Sequence, residues 1–153
     1  RALQRDLMFN TRFHDADALI NTLESGLVPY DQLNAVAEQV QASVRAELAL
    51  QDYAVNLWQA LRHPERIGVE IEDVDVSRLV AGGASPRGMA MLMRAARTRA
   101  WLEGRDFLTP DDIRAVFSAT VGHRVFFNAA YELRRDEIAP ALLAGVLNHI
   151  PAP

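Results

Sequence analysis

The stretch from Gly82 to Gly104, GGASPRGMAMLMRAARTRAWLEG, fixes both ends of one helix. Ser85 has the side-chain acceptor wanted at an N-cap, Pro86 carries the φ of a first helical residue, and Gly104 supplies a left-handed stop. Between them lies a helix long enough to span a small domain. Met89, Leu92, Met93, Ala96 and Ala100 make one stripe along it, and the small members of that stripe allow a neighbouring helix to approach closely. Arg87 falls in the first turn, where free backbone N–H groups and the positive end of the helix dipole disfavour a cation. That position fits an anion held between the two, against the plainer reading of a solvated surface arginine.

The remaining chain supplies further helices. Asp15 or Asp17 can cap a short one running through Leu19, Ile20 and Leu23 to a stop at Gly26. From Asp31 the spacing of Leu33, Val36, Ala37 and Val40 predicts a helix whose inner face is core. Leu50, Tyr53, Ala54, Leu57, Trp58 and Leu61 follow the helical period until His63 and Pro64 end it. After Gly104, Thr109 is a cap, Pro110 a first residue, and Asp111 and Asp112 place negative charge in the first turn of a helix with Ile113, Val116, Phe117, Thr120 and Val121 inside. The last helix carries Ile138, Leu142, Leu143, Val146, Leu147 and Ile150, with Pro140 expected close to its start. Only 68–81 changes period: Val69, Ile71, Val74 and Val76 alternate around Glu72 and Asp73, which predicts a small two-stranded excursion or an extended loop. The expected fold is therefore an all-α bundle of five or six helices with a small extended or hairpin-like insertion near 68–81.

Composition removes several chemistries. All sixteen basic residues are arginine, so a Schiff-base lysine, a lysine general base and a P-loop lysine are excluded together. The absence of cysteine excludes disulfides, a thiol nucleophile and a zinc knuckle, and points to an intracellular, cytoplasmic setting. A net charge of −4 with arginines spread along the chain argues against a nucleic-acid surface, and Arg87, Arg94, Arg97 and Arg99 scatter around their helix. No apolar run suits a membrane span, and the opening RALQRDLMF has neither the order of a signal peptide nor an initiator methionine, so a piece of a longer protein is expected.

Catalytic patterns are absent as well. Gly83 to Gly88 spells G-x-x-x-x-G, but Met89 and Ala90 stand where a phosphate loop needs lysine and a hydroxyl. Asp73, Asp75 and Ser77 begin like a calcium loop, yet Arg78 replaces its glycine and Ala84 its closing glutamate. His14, His63, His123 and His149 are too far apart for a helical metal pair.

The residues GGASPRGMAMLMRAARTRAWLEGRDFLTPDDIRAVFSATVGHR resemble the C-terminal lid of MoxR-type AAA+ ATPases, with a G-A-S-P-R helix start, a G-R-D stop, a T-P-D-D cap and a later H-R pair, here His123 and Arg124. The likeness reaches back to DYAVNLWQALRHP and forward to NHIPAP, covering the chain from about Asp31 to its end. It departs from the family in the longer segment 68–81, a candidate subunit contact, and in the first dozen residues. The resemblance implies a connecting segment over 1–30 that finishes the ATPase core, and a helical lid over 31–153. It further implies that Arg87 is the sensor 2 residue reaching the phosphates of ATP, with Ser85 and Pro86 supporting it. ATP and Mg2+ would belong to the parent protein, not to this chain alone, which carries no Walker motifs and no metal site. The partners it implies are the ATPase core in cis, neighbouring subunits of a ring oligomer and a protein bearing a von Willebrand factor A domain, with no nucleic acid and no membrane, in a chaperone-like remodelling role. The rival from another class is a free-standing helical interaction module in which Arg87 meets no nucleotide.

Overall fold

The computed structural model describes residues 1–24, 26 and 29–153, which divide into two compact units, Arg1–Val36 and Ala37–Pro153. In the first, α1 (Ala2–Phe9) and α2 (Ala16–Ile20) are joined by a 3₁₀ turn at Thr11–Phe13. Asp15 is the cap of α2, its Oδ1 accepting from the Ala18 N–H at 3.0 Å. That helix stops at Ile20, short of Leu23, because five residues form little more than one turn and bury nothing to extend it. No described side chain of this unit is buried, and Leu3, Met8, Phe9 and Ile20 are all exposed.

Helix α3 (Leu33–Ser43) runs from one unit into the next, and here the sequence expectation needs correction. Val40 and, just past the helix, Val44 are buried, but Leu33 and Val36 are 53% and 44% exposed. The period was helical throughout; only the half from Ala37 onward has a core to face.

In the second unit, α4 (Leu48–Arg62), α5 (Pro86–Leu102), α6 (Pro110–Val121) and α8 (Arg135–His149) supply the core, with a short α7 (Ala129–Glu132) before the last. Leu57 and Leu61 of α4, Leu92 and Ala96 of α5, Ile113 and Phe117 of α6, and Ile138 and Val146 of α8 are fully or almost fully buried. At about 25 cal/mol per Å² of apolar surface, burial of this kind dominates the fold's stability. Helix α5 packs most extensively against α6, and its small residues Ala96 and Ala100 are fully buried. Eight α-helices occur among the described residues: the six expected and two more, α1 and α7, short pieces that periodicity does not register. Pro140 sits in the second turn of α8, not at its start. The hydrogen bond it withholds would have gone to the Asp136 carbonyl, and both residues are exposed, so water can take that place.

The segment 68–81 is built into the domain. Ile71 bridges Val74 across Glu72 and Asp73, Asp75 caps a 3₁₀ turn at Val76–Arg78, and the chain then enters β1 (Val80–Gly82). That strand pairs antiparallel not with its neighbour in sequence but with β2 (Phe126–Phe127). The hydroxyl of Tyr131 accepts from the Asp75 N–H at 3.1 Å, and the Asn128 N–H donates to the Leu79 carbonyl at 2.9 Å. Val69, Val76 and Leu79 are buried, while the acids Glu72, Asp73 and Asp75 face solvent.

Candidate functional site

The two ends of α5 are built differently. At its start the Ser85 Oγ accepts from the Gly88 N–H at 3.2 Å, Pro86 is the first helical residue, and the Met89 N–H closes onto the Ser85 carbonyl at 3.1 Å. Ser85 and Pro86 thus set where the helix begins and place Arg87 in its first turn. The turn is anchored from behind: the Trp58 indole N–H of α4 donates to the Ala84 carbonyl at 2.7 Å, and Ala84 is 1% exposed. Trp58 is therefore a packing residue with a fixed polar tip. Arg87 itself is exposed and, among the described residues, makes no side-chain hydrogen bond and no ion pair.

The two glycines that imitate a phosphate loop have another cause. A Cβ on Gly83 would stand 2.6 Å from Cγ of Arg62, and a Cβ on Gly88 would stand 2.8 Å from Cδ of Arg124. Each glycine leaves room for an arginine stem to lie against the backbone. Arg124, half-buried, follows α6 in a 3₁₀ turn at Gly122–Arg124 and donates to Nε2 of His123. The sequence singled out the H-R pair without a role; the contact with Gly88 is a tertiary fact that no local spacing reveals.

At the other end, Gly104 (φ 75°) closes α5 with a Gly104 N–H to Trp101 carbonyl bond of 2.9 Å and an Arg105 N–H to Ala100 carbonyl bond of 3.0 Å, the paired pattern of a Schellman stop. Arg105 then grips Asp112 with both terminal nitrogens at 2.7 Å, Arg99 reaches the same carboxylate at 3.3 Å, and the Thr109 N–H and hydroxyl donate to it at 2.9 and 2.8 Å. Asp112 is 1% exposed. Burial pushes its carboxyl upward, but the Arg105 guanidinium and the Thr109 donors outweigh that and hold it at about 2. Asp112 was expected as a first-turn acid facing the dipole; it is instead the centre of a closed ionic cluster joining α5 to α6.

The other candidates disperse. The Nε2 atom of His14 lies against the Met8 carbonyl, Nδ1 of His63 against Glu65, and Nδ1 of His149 against the Gly145 carbonyl, at 3.1, 3.3 and 2.8 Å. No group of three metal-ligating side chains occurs among the described residues. Arg94 and Arg97 line a groove of about 490 Å³ between α4 and α5, beside Val55, Trp58, Met89 and Met93, whereas Arg99 is bound into the Asp112 cluster. No helix among the described residues is long and apolar enough to cross a membrane.

The sequence pattern of the AAA lid domain matches residues 72–142, which include both ends of α5 and the Asp112 cluster. Protein MoxR of Methylorubrum extorquens is 48% identical over 150 residues, covering 98% of this chain. The chain belongs to the MoxR-type AAA+ family and carries its lid. The lid chain spans 44% of the length of that Methylorubrum protein. It is also similar to Chaperone MoxR1 of Mycobacterium tuberculosis, at 35% identity over 106 residues, 69% of this chain and 26% of that protein. Among solved structures, a candidate ATPase from Cytophaga hutchinsonii superposes with a TM-score of 0.66 and 25% identity, over 75% of the lid chain and 33% of its own. The overall helical fold is thus shared with that structure.

Proposed function

We propose that this lid presents Arg87 to the β- and γ-phosphates of ATP held, with Mg2+, by an ATPase core in cis, and that this contact ties lid orientation to nucleotide state. The observation that carries the reading is the exposed, unpartnered Arg87 guanidinium at the capped start of α5, in a domain where Arg99 and Arg105 are locked onto carboxylates. Residues 31–153 act in this reading as the lid and 1–30 as the segment connecting it to the core, with the unpacked Leu3, Met8 and Phe9 belonging to that connection. The parent is an ATP hydrolase working as a ring oligomer, a chaperone-like remodeller served by a partner bearing a von Willebrand factor A domain; the lid alone hydrolyses nothing. The similarity to a protein named as a chaperone supports the remodelling role.

The deciding experiment is Arg87→Ala in the full-length protein, with ATP turnover and ATP affinity both measured. Turnover should fall on the order of a hundredfold, the scale for removing one donor to transition-state charge, and affinity should weaken. Wild-type values for both would end the assignment.

A further inference from the structure

We propose that the groove between α4 and α5 is a docking site for one acidic amphipathic helix of a partner protein. The proposal is independent of Arg87 and of nucleotide. Gln51, Ala54 and Trp58 form one wall of the groove, and Pro86, Met89, Met93 and Arg97 the other. Within each wall the residues recur at three or four positions, so each wall is a single stripe along its helix. Two such stripes facing one another make a trough of the shape that receives a third helix. From Pro86 to Arg97 the trough runs about 16 Å at 1.5 Å per residue, or about three helical turns.

The trough is apolar over most of its length and basic at one end. Val55, also in its lining, is 44% exposed although it sits in the middle of α4, and Met89 and Met93 supply side chains that adapt to the shape of an occupant. Trp58 holds the start of α5, so the apolar end lies there, and Arg94 and Arg97 stand on the later turns of the same helix. No acid lines the trough, and neither arginine pairs with a carboxylate among the described residues. Arg97 differs from a solvated arginine: it is half-buried, and its Nε is enclosed without a hydrogen-bond acceptor among the described residues. A guanidinium partly removed from water and left without a counter-charge is costly, and a carboxylate brought to its terminal nitrogens offsets that cost. Charge complementarity therefore selects a helix with glutamate or aspartate at one end, while the apolar floor supplies the affinity.

The test uses the full-length protein and a stapled synthetic helix of about three turns. The helix carries leucine along one face and glutamate at both ends, so that either direction of docking is served, and a lysine-for-glutamate version is its counterpart. Calorimetry measures binding, and thermal midpoints confirm folding. The acidic helix should bind at least about tenfold more tightly than the lysine one, and Arg94→Gln and Arg97→Gln should each weaken it about tenfold, the scale of one lost charged hydrogen bond. Val55→Glu, at an exposed position, should weaken it at least as much by placing a like charge on the apolar wall. In a protein carrying Arg94→Glu and Arg97→Glu the preference should reverse toward the lysine helix. The control Arg78→Gln, outside the trough, should change nothing. Equal binding of the two helices, no binding of either up to about a millimolar, or binding that survives Arg94→Gln, Arg97→Gln and Val55→Glu alike would overturn the proposal. Self-association of the full-length protein that Val55→Glu abolishes, with no acidic helix bound by the wild type, would give the trough to a second copy and overturn it as well.

Discussion

The start and the end of α5 hold the same kinds of groups in opposite conditions. At the end, Arg99 and Arg105 both meet the buried Asp112 carboxylate, whose oxygens also take both Thr109 donors, and both reach Glu103 as well. At the start, Arg87 is exposed and meets no acid among the described residues, and the stems of Arg62 and Arg124 lie against Gly83 and Gly88. The carboxylate at the end of α5 ties its arginines into the fold, whereas Arg87 at the start is left open to solvent. The difference should appear as a division between stability and activity.

The sharpest way to break this contrast is Asp112→Ala, which removes the buried carboxylate and leaves Arg99 and Arg105 only the half-exposed Glu103. It should cost about 3–5 kcal/mol of unfolding free energy, the scale for removing one member of a buried pair, as measured by urea denaturation. Arg87→Ala should change the same quantity by less than about 0.5 kcal/mol, as surface substitutions do. Similar values for the two would erase the distinction. A second, smaller effect follows from acidity. The Asp112 carboxyl is held at about 2, below its ordinary value of 3.8, so its contribution is fully present above about pH 4 and is lost as the pH falls through about 2. By linkage this amounts to about 2 kcal/mol, absent from an Asp112→Asn titration of stability against pH. The smallest effect belongs to the open end: Ser85→Ala removes the cap and should cost about 1 kcal/mol, read in the same urea experiment. A loss several times larger would mean that the turn bears structural weight beyond its hydrogen bond to Gly88.

Local chemistry made much of this legible. Ser85, Pro86, Gly104 and the stripes of α4, α5, α6 and α8 could be read because caps, stops and apolar periods depend on residues within a few positions of one another. What escaped was set at a distance. β1 finds its partner at Phe126–Phe127, a pairing decided by how the helices stack. Asp112 reads as a solvated acid until Arg105 and Arg99 are brought over it by the packing of α5 on α6. Leu33 and Val36 keep a helical period whose outer half meets no core, since periodicity says which face is apolar but not whether it is covered. The candidate site divides in the same way: the first-turn position of Arg87 is local, and the approach of Arg62 and Arg124 to Gly83 and Gly88 is not.

The hydrogen bond from Trp58 to the Ala84 carbonyl has a practical corollary. The chain holds two tryptophans, Trp58 beside the start of α5 and Trp101 in its last turn, the latter 45% exposed. Each end of the helix therefore has its own intrinsic fluorophore. An indole whose N–H is bound to the turn changes its emission when the turn moves, while one set by the closed cluster's end stays constant. With Trp101→Phe and Trp58→Phe proteins, the optical signal of the open end can be followed against that of the closed one without attaching any label.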